Sequence, residues 1–173
     1  MPLRGSGLHT NWTTSARYVD TTVDRARWRL TASYRVLDFA QVGVEYNPMA
    51  SEVTPVATVF VLTETDSRPA FFLGTSADRI GSPKGTQSYY LTASKLAPWV
   101  PVSAYATINY SEWDEHINFP FGAEWYVWGG FSLRGMYDGN QPHAMVNWFG
   151  DRFGASVMAV WLDTFGVAVF GGF

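Results

Sequence analysis

The chain contains no cysteine, and charged residues make up only 16% of its 173 residues. The first absence excludes disulfide staples and thiolate metal sites, and is compatible with an oxidising periplasm. The second leaves little charge to offer water, since an average soluble domain is about 25% charged. The charge that exists sums to −3, which argues against nucleic acid as a partner, because phosphate contacts need clustered Lys and Arg. Long hydrophobic runs are missing too. No stretch reaches the roughly 18 apolar residues of a spanning helix; the densest, 53–62 and 157–162, are short and β-branched or aromatic. The opening Met1-Pro2-Leu3-Arg4-Gly5-Ser6-Gly7 lacks the apolar stretch of a signal peptide. If the protein is exported, this sequence is a mature or engineered form with an added Met1. No segment carries the i, i+3, i+4, i+7 apolar spacing of an amphipathic helix, and there is no glycine-rich phosphate motif.

What the chain has in abundance is aromatics, with 8 Trp, 9 Tyr and 12 Phe, and period-two alternation. Strand side chains point to opposite faces in turn, so alternation is the signature of a sheet with two unlike faces. Trp28, Leu30, Ala32, Tyr34 and Val36 alternate with Arg27, Arg29, Thr31, Ser33 and Arg35. Ala40, Val42, Val44 and Tyr46 oppose Gln41, Gly43, Glu45 and Asn47, which makes a hairpin with the preceding run. The rhythm continues through Val102, Ala104, Ala106, Ile108 and Tyr110 against Ser103, Tyr105, Thr107, Asn109 and Ser111. It returns in Ile117 to Val127 against Asn118, Gly122, Glu124 and Tyr126, and in Phe153 to Trp161 against Gly154, Ser156, Met158 and Val160. Gly81-Ser82-Pro83-Lys84-Gly85 is the clearest loop. Residues 1–10 read as a flexible lead-in, and residues 11–173 as one domain. About 11 clear strands follow one another roughly 12 to 16 residues apart, close to barrel spacing; Trp12, Thr14, Ala16 and Tyr18 supply a twelfth. An antiparallel sheet of this size closes or splits to hide its edges. The expectation is an all-β fold: a closed, antiparallel, up-and-down transmembrane β-barrel of twelve strands.

The last nine residues carry a resemblance. Phe165, Val167, Val169, Gly171 and Phe173 share one face, and Gly166, Ala168, Phe170 and Gly172 the other. A final aromatic preceded by apolar residues at every second position resembles the closing strand of bacterial outer-membrane β-barrel proteins. The resemblance implies a location in the bacterial outer membrane and Phe173 as the assembly signal read by the barrel-assembly machinery. Phe121-Gly122-Ala123-Glu124-Trp125 and Leu133-Arg134-Gly135-Met136-Tyr137-Asp138-Gly139 are similar to segments of exopolysaccharide-associated outer-membrane barrels, without singling out one family.

A soluble barrel and an inside-out barrel alternate alike and differ only in orientation. The uncharged apolar face favours contact with a lipid bilayer or detergent. So does the placement of Trp28, Trp99, Trp113, Trp125, Trp128 and Trp161 near predicted turns, where an aromatic girdle would meet the bilayer interfaces. The opposite face then lines a pore for small solutes or ions, with Arg27, Arg29, Arg35, Glu45, Asn109, Glu124 and Arg134 as its candidate lining residues. A turn centred on Gly129 sets Glu124 opposite Arg134, either as a salt-bridged plug or as a selectivity pair. Turns look short at both ends, with no constriction loop. The three histidines, His9, His116 and His143, fall in the lead-in or at turns, and read as solvated rather than catalytic. No cofactor or metal site is indicated; Asp138-Gly139-Asn140 looks like a calcium-loop fragment but reads as a turn. The functional expectation is a narrow, weakly selective pore and not an enzyme. The alternatives are a non-conducting scaffold or export component, and a soluble barrel binding an apolar ligand with its apolar face inward.

Overall fold

The computed structural model describes residues 11–173; the lead-in and His9 lie outside them. Thirteen strand segments form a single antiparallel sheet in sequence order. They are β1 (Trp12–Val19), β2 (Trp28–Leu37), β3 (Ala40–Asn47), β4 (Glu52–Leu62), β5 (Ala70–Ala77), β6 (Gln87–Leu96) and β7 (Val102–Ser111). Then come β8 (His116–Asn118), β9 (Phe121–Tyr126), β10 (Phe131–Tyr137), β11 (Pro142–Phe149), β12 (Phe153–Val160) and β13 (Thr164–Gly172). β8 and β9 both pair with β7 and are two halves of one barrel strand. Pro120 sits at the break, where it has no N–H to give to the ladder, although its carbonyl still accepts from Thr107 N–H at 2.8 Å.

β1 pairs with β13 from Thr13↔Gly172 to Val19↔Gly166, and β6 with β7, so the sheet has no free edge. The result is a closed twelve-strand antiparallel up-and-down barrel. Trp12 and Phe173 exchange two backbone hydrogen bonds of 3.2 and 3.0 Å at the seam. One mouth carries the two chain ends and the 38–39, 63–69, 97–101, 127–130 and 150–152 turns; the other carries the remaining connections. The twelfth of the expected strands, 11–20, is therefore the one that closes the ring.

The alternation resolves as inside-out. Among the described residues, the buried apolar ones are only Val19, Ala26, Ala77, Met158 and Val160. Buried polar or charged residues outnumber them, among them Glu45, Glu52, Asp78, Glu124, His143, Asn147 and Ser132. Leu73, Leu91, Ile108, Phe121, Leu133, Val146, Val157 and Val169 are all exposed on the outer wall. The reading with the apolar face inward is thereby corrected. The only charged strand residue pointing outward among the described residues is Lys95, which pairs with Glu64 near the end that carries the chain termini.

Three local differences from the sequence reading have physical causes. Arg27 does not open β2: Asp24–Arg27 is one helical turn, α1, and the strand starts at Trp28. Trp161 does not extend β12, because Trp161 and Leu162 both take left-handed φ values of 55° and 62° and turn the chain. Third, the 78–86 connection is not a plain surface turn but folds inward, as described below.

Candidate functional site

The lumen is the candidate site, and its wall is held by cross-strand polar ladders. Glu124 on β9 and Arg134 on β10 are directly opposed in register and pair at 2.9 Å, as the Gly129 turn implied. Glu124 also accepts from Ser132 Oγ at 2.5 Å and Asn147 Nδ2 at 2.9 Å, and Ser156 Oγ donates to Asn147 Oδ1 at 2.5 Å. This ladder ties four consecutive strands from the inside. Arg29 on β2 pairs with buried Glu45 on β3. Arg35 lies nearer the mouth with the chain ends, exposed, with its guanidinium 4.9 Å from the Phe60 ring. Asn109 faces an interior cavity. Arg27 is half-buried on α1 rather than on the strand wall.

The other mouth is covered by the 78–86 loop. Ile80 packs against the cluster of Val19, Met158 and Val160. The loop springs from β5 and β6, yet Val19 lies four strands from β5 one way round, and Val160 five strands from β6 the other way. Contact between them requires the loop to cross the opening. Gly81, at φ 97°, brings the backbone so close that an added Cβ would sit 3.6 Å from the Trp161 ring. A chain with short turns and no constriction loop was expected; this crossing corrects it.

Charged groups pin the loop at its rim. Arg25 of α1 is buried and bonds Glu52 at 2.7 Å, Thr86 Oγ1 at 3.1 Å, the Thr86 carbonyl at 2.8 Å, and Ser82 Oγ. Gly85 N–H donates to Glu52 at 2.6 Å, and Lys84 donates to the Ala50 and Ser51 carbonyls. On the far side Arg79 grips Asp114 through two nitrogens and stacks 4.6 Å from the Trp113 ring. Asp78 accepts from Ser111 Oγ at 2.6 Å and Trp113 N–H at 3.3 Å. The hydrogen bond from Arg79 holds the Asp114 carboxyl below its ordinary value, against the opposing effect of burial. At Asp138, burial works to raise the carboxyl's pKa, but bonds from His143 and the Gln141 and Asn140 amides outweigh it and keep it low.

His143 is buried, not solvated. Its Nε2 bonds Asp138 at 2.9 Å and its Nδ1 accepts the Trp161 N–H at 3.4 Å, so neither nitrogen is free to act on a solute. His116 is exposed and bonds the Asp114 carbonyl. Asp138 accepts from the Asn140 and Gln141 amides, which makes the 138–141 segment a turn. Among the described residues no group of three His, Asp or Glu is placed to hold a metal ion.

Two cavities occupy the lumen. One, of about 410 Å³, opens at the mouth with the chain ends and is lined by Ser15, Thr31, Ser33, Phe149 and Phe170. The other, of about 350 Å³, lies under the 78–86 loop, with Arg17, Arg29, Tyr105 and Asn109 on its wall. The inward register pair Ser15↔Thr31 borders the first and the next inward pair, Arg17↔Arg29, borders the second. Arg17 was absent from the expected lining, although its parity opposite Ala16 and Tyr18 had marked it as inward.

Exposed aromatics gather at both ends of the barrel. Trp99, Trp125 and Trp128 lie exposed at the mouth with the chain ends, joined by Trp12 and Trp148, which the turn-based reading did not single out. Trp28 and Trp113 lie exposed at the loop-covered end, beside the outward Tyr46, Tyr89 and Tyr110. Trp161 turns in at that end to pack on the Val19, Met158 and Val160 cluster. Phe173 is exposed and meets Phe153 at a ring distance of 6.1 Å. No protein-family model matches this sequence, and no curated protein matches it.

Proposed function

We propose that the chain is a bacterial outer-membrane barrel forming a narrow, weakly selective pore for small solutes or ions, closed at one mouth by the 78–86 loop. The observation that carries this reading is the pairing of an apolar, almost uncharged outer wall with a polar lumen that holds two cavities. Each outward Leu, Val or Phe left in water forgoes about 1.5–3 kcal/mol of burial, and the wall repeats that loss on every strand. A bilayer removes it. Most strands have 8 to 10 residues and, tilted as barrel strands are, rise about 20–25 Å, the height of an outer-membrane apolar band. Aromatics exposed at both ends suit the two interfaces of a bilayer. The row Phe165, Val167, Val169 and Phe173 is the part of β13 that assembly machinery would take up. We read the barrel as non-catalytic, because both nitrogens of its buried histidine are engaged.

The test is single-channel recording after refolding from detergent into a planar bilayer. Wild type is expected to show rare, small steps, and Arg25→Ala, which unpins the loop, frequent ones. Glu124→Gln and Arg134→Gln are expected to shift the ion preference in opposite directions. Insertion without current in both wild type and Arg25→Ala would replace the pore by a non-conducting scaffold. A protein that is monomeric in buffer without detergent would remove the membrane assignment itself.

A further inference from the structure

Among the described residues, Arg17 and Arg35 are the lumenal strand arginines without an ion-paired carboxylate, and Arg35 lies exposed near the mouth over the Phe60 ring, which leaves Arg17 as the one inside the wall. Arg29 has Glu45, Arg134 has Glu124, and at the covered mouth Arg25 has Glu52 and Arg79 has Asp114. No carboxylate among the described residues lies within ion-pair distance of Arg17, since Glu45, whose charge also acts on it, is paired with Arg29; its Nε is sealed from solvent with no acceptor. Its register partner across the β1–β2 ladder is Arg29, and like charges directly opposed repel. A cation held inside a wall without a counter-ion is costly, so the site calls for an anion.

The cavity beside it has the other features of a built site. Across the ring, six strands away on β7, Tyr105 and Asn109 line the same space. Neighbouring polar side chains are already engaged: Tyr90 with Thr58 at 3.0 Å and Thr92 with Thr107 at 2.9 Å. Tyr105 and Asn109 make no side-chain hydrogen bond with any described residue. Met136, Met145 and Met158 give the wall an apolar, adaptable side. Asp78 and Asp138 line the cavity too, with their carboxylates engaged by Ser111, His143 and backbone amides.

We infer that this cavity binds a small organic monoanion. Its carboxylate takes the Arg17 guanidinium, its apolar body lies on the methionines, and any further polar group meets Tyr105 and Asn109. A single arginine without an ion pair, in a cavity that Asp78 and Asp138 also line, favours a monoanion over a dianion. A volume of about 350 Å³ equals the share of roughly ten waters at about 30 Å³ each, which limits the ligand to a small molecule. Entry is from the mouth with the chain ends, past Ser15 and Thr31. The inference rests on the pore reading in that solutes reach the lumen.

Calorimetric titration of the refolded barrel in detergent micelles tests it, with sodium benzoate, the neutral isostere benzamide and the dianion phthalate as probes. Benzoate is expected to bind saturably, benzamide and phthalate at least about tenfold more weakly, a difference of about 1.4 kcal/mol. Arg17→Met is expected to abolish benzoate binding without lowering the melting temperature, and Arg17→Lys to retain part of it. Equal binding of benzoate and benzamide, no saturable benzoate binding to wild type, or wild-type affinity in Arg17→Met would overturn the inference. The comparison of probes on wild type needs no variant to fold. A barrel that binds benzoate but never conducts would defeat the pore reading and leave this site standing; a conducting barrel indifferent to benzoate would do the reverse.

Discussion

Glu124 shows how individual side chains hold this wall. Its two oxygens serve Ser132, Asn147 and Arg134, and it is almost fully buried. Arg134 is more than a third exposed, so solvent can replace what it loses. The two halves of the pair are therefore unequal. Glu124→Gln sets an amide against the Arg134 guanidinium or against the Ser132 and Asn147 donors, and is expected to cost about 1–3 kcal/mol. Arg134→Gln is expected to cost under about 1 kcal/mol, near the value of an exposed pair. Urea unfolding in micelles, followed by tryptophan emission, measures both; equal losses would show that the ladder does not depend on Glu124. At Gly154, an added Cβ would collide with the Phe170 ring of the neighbouring strand, so Gly154→Val is expected to expel that ring from the lumen and destabilise the β12–β13 pair by about 1–3 kcal/mol.

Among the elements, the 78–86 loop is the one whose behaviour departs from barrel regularity. Its contacts are electrostatic at the rim and apolar only where Ile80 meets the far wall. Removing one member of a buried ion pair costs about 3–5 kcal/mol, and Arg25→Ala should place that cost on loop closure. Amide exchange is expected to accelerate in residues 78–86 while the strands keep their protection. Uniform acceleration would mean that loop and barrel open as one unit. Acid should act at the same place. The Asp114 and Asp138 carboxyls are held below their ordinary value of 3.8 in the folded protein. Their stabilisation is complete above the unfolded value and is lost as pH falls through the folded one. The rim is thus expected to hold at neutral pH and to loosen below about pH 4, reported by a change in Trp113 emission as Arg79 leaves its ring. Asp114→Asn should show the loosened emission at neutral pH; an emission unchanged from neutral pH to about pH 2 would count against this account.

For the molecule as a whole, orientation decides the solvent. Leu91 and Thr92 are neighbours on β6, one exposed on the outer wall and the other buried in the lumen. If the wall meets lipid, Leu91→Arg near mid-strand costs about 2–4 kcal/mol. In water the same change would cost almost nothing, since the side chain is exposed. Folding equilibria in lipid vesicles distinguish the two, and a neutral Leu91→Arg would end the membrane reading.

Alternation, strand spacing and turn residues were enough to read a twelve-strand antiparallel barrel from the sequence, because each strand's two faces and each hairpin's register are local properties. Glu124 and Arg134 were legible as a pair for the same reason: one turn joins their strands. The place of the first strand needed the fold, since its pairing with β13 joins opposite ends of the chain. Orientation was legible in the uncharged apolar face and the tryptophans near turns, although period two by itself is the same inside out. Gly81 to Gly85 marked a loop, but nothing local marked it as one that covers a mouth. Ile80 finds Val19 and Val160, and Arg25 finds Ser82 and Thr86, across separations that only closure of the ring brings within reach. The burial of His143 and the isolation of Arg17 have that same origin. Each follows from which side chains the closed wall sets around it, and the tertiary structure alone decides that.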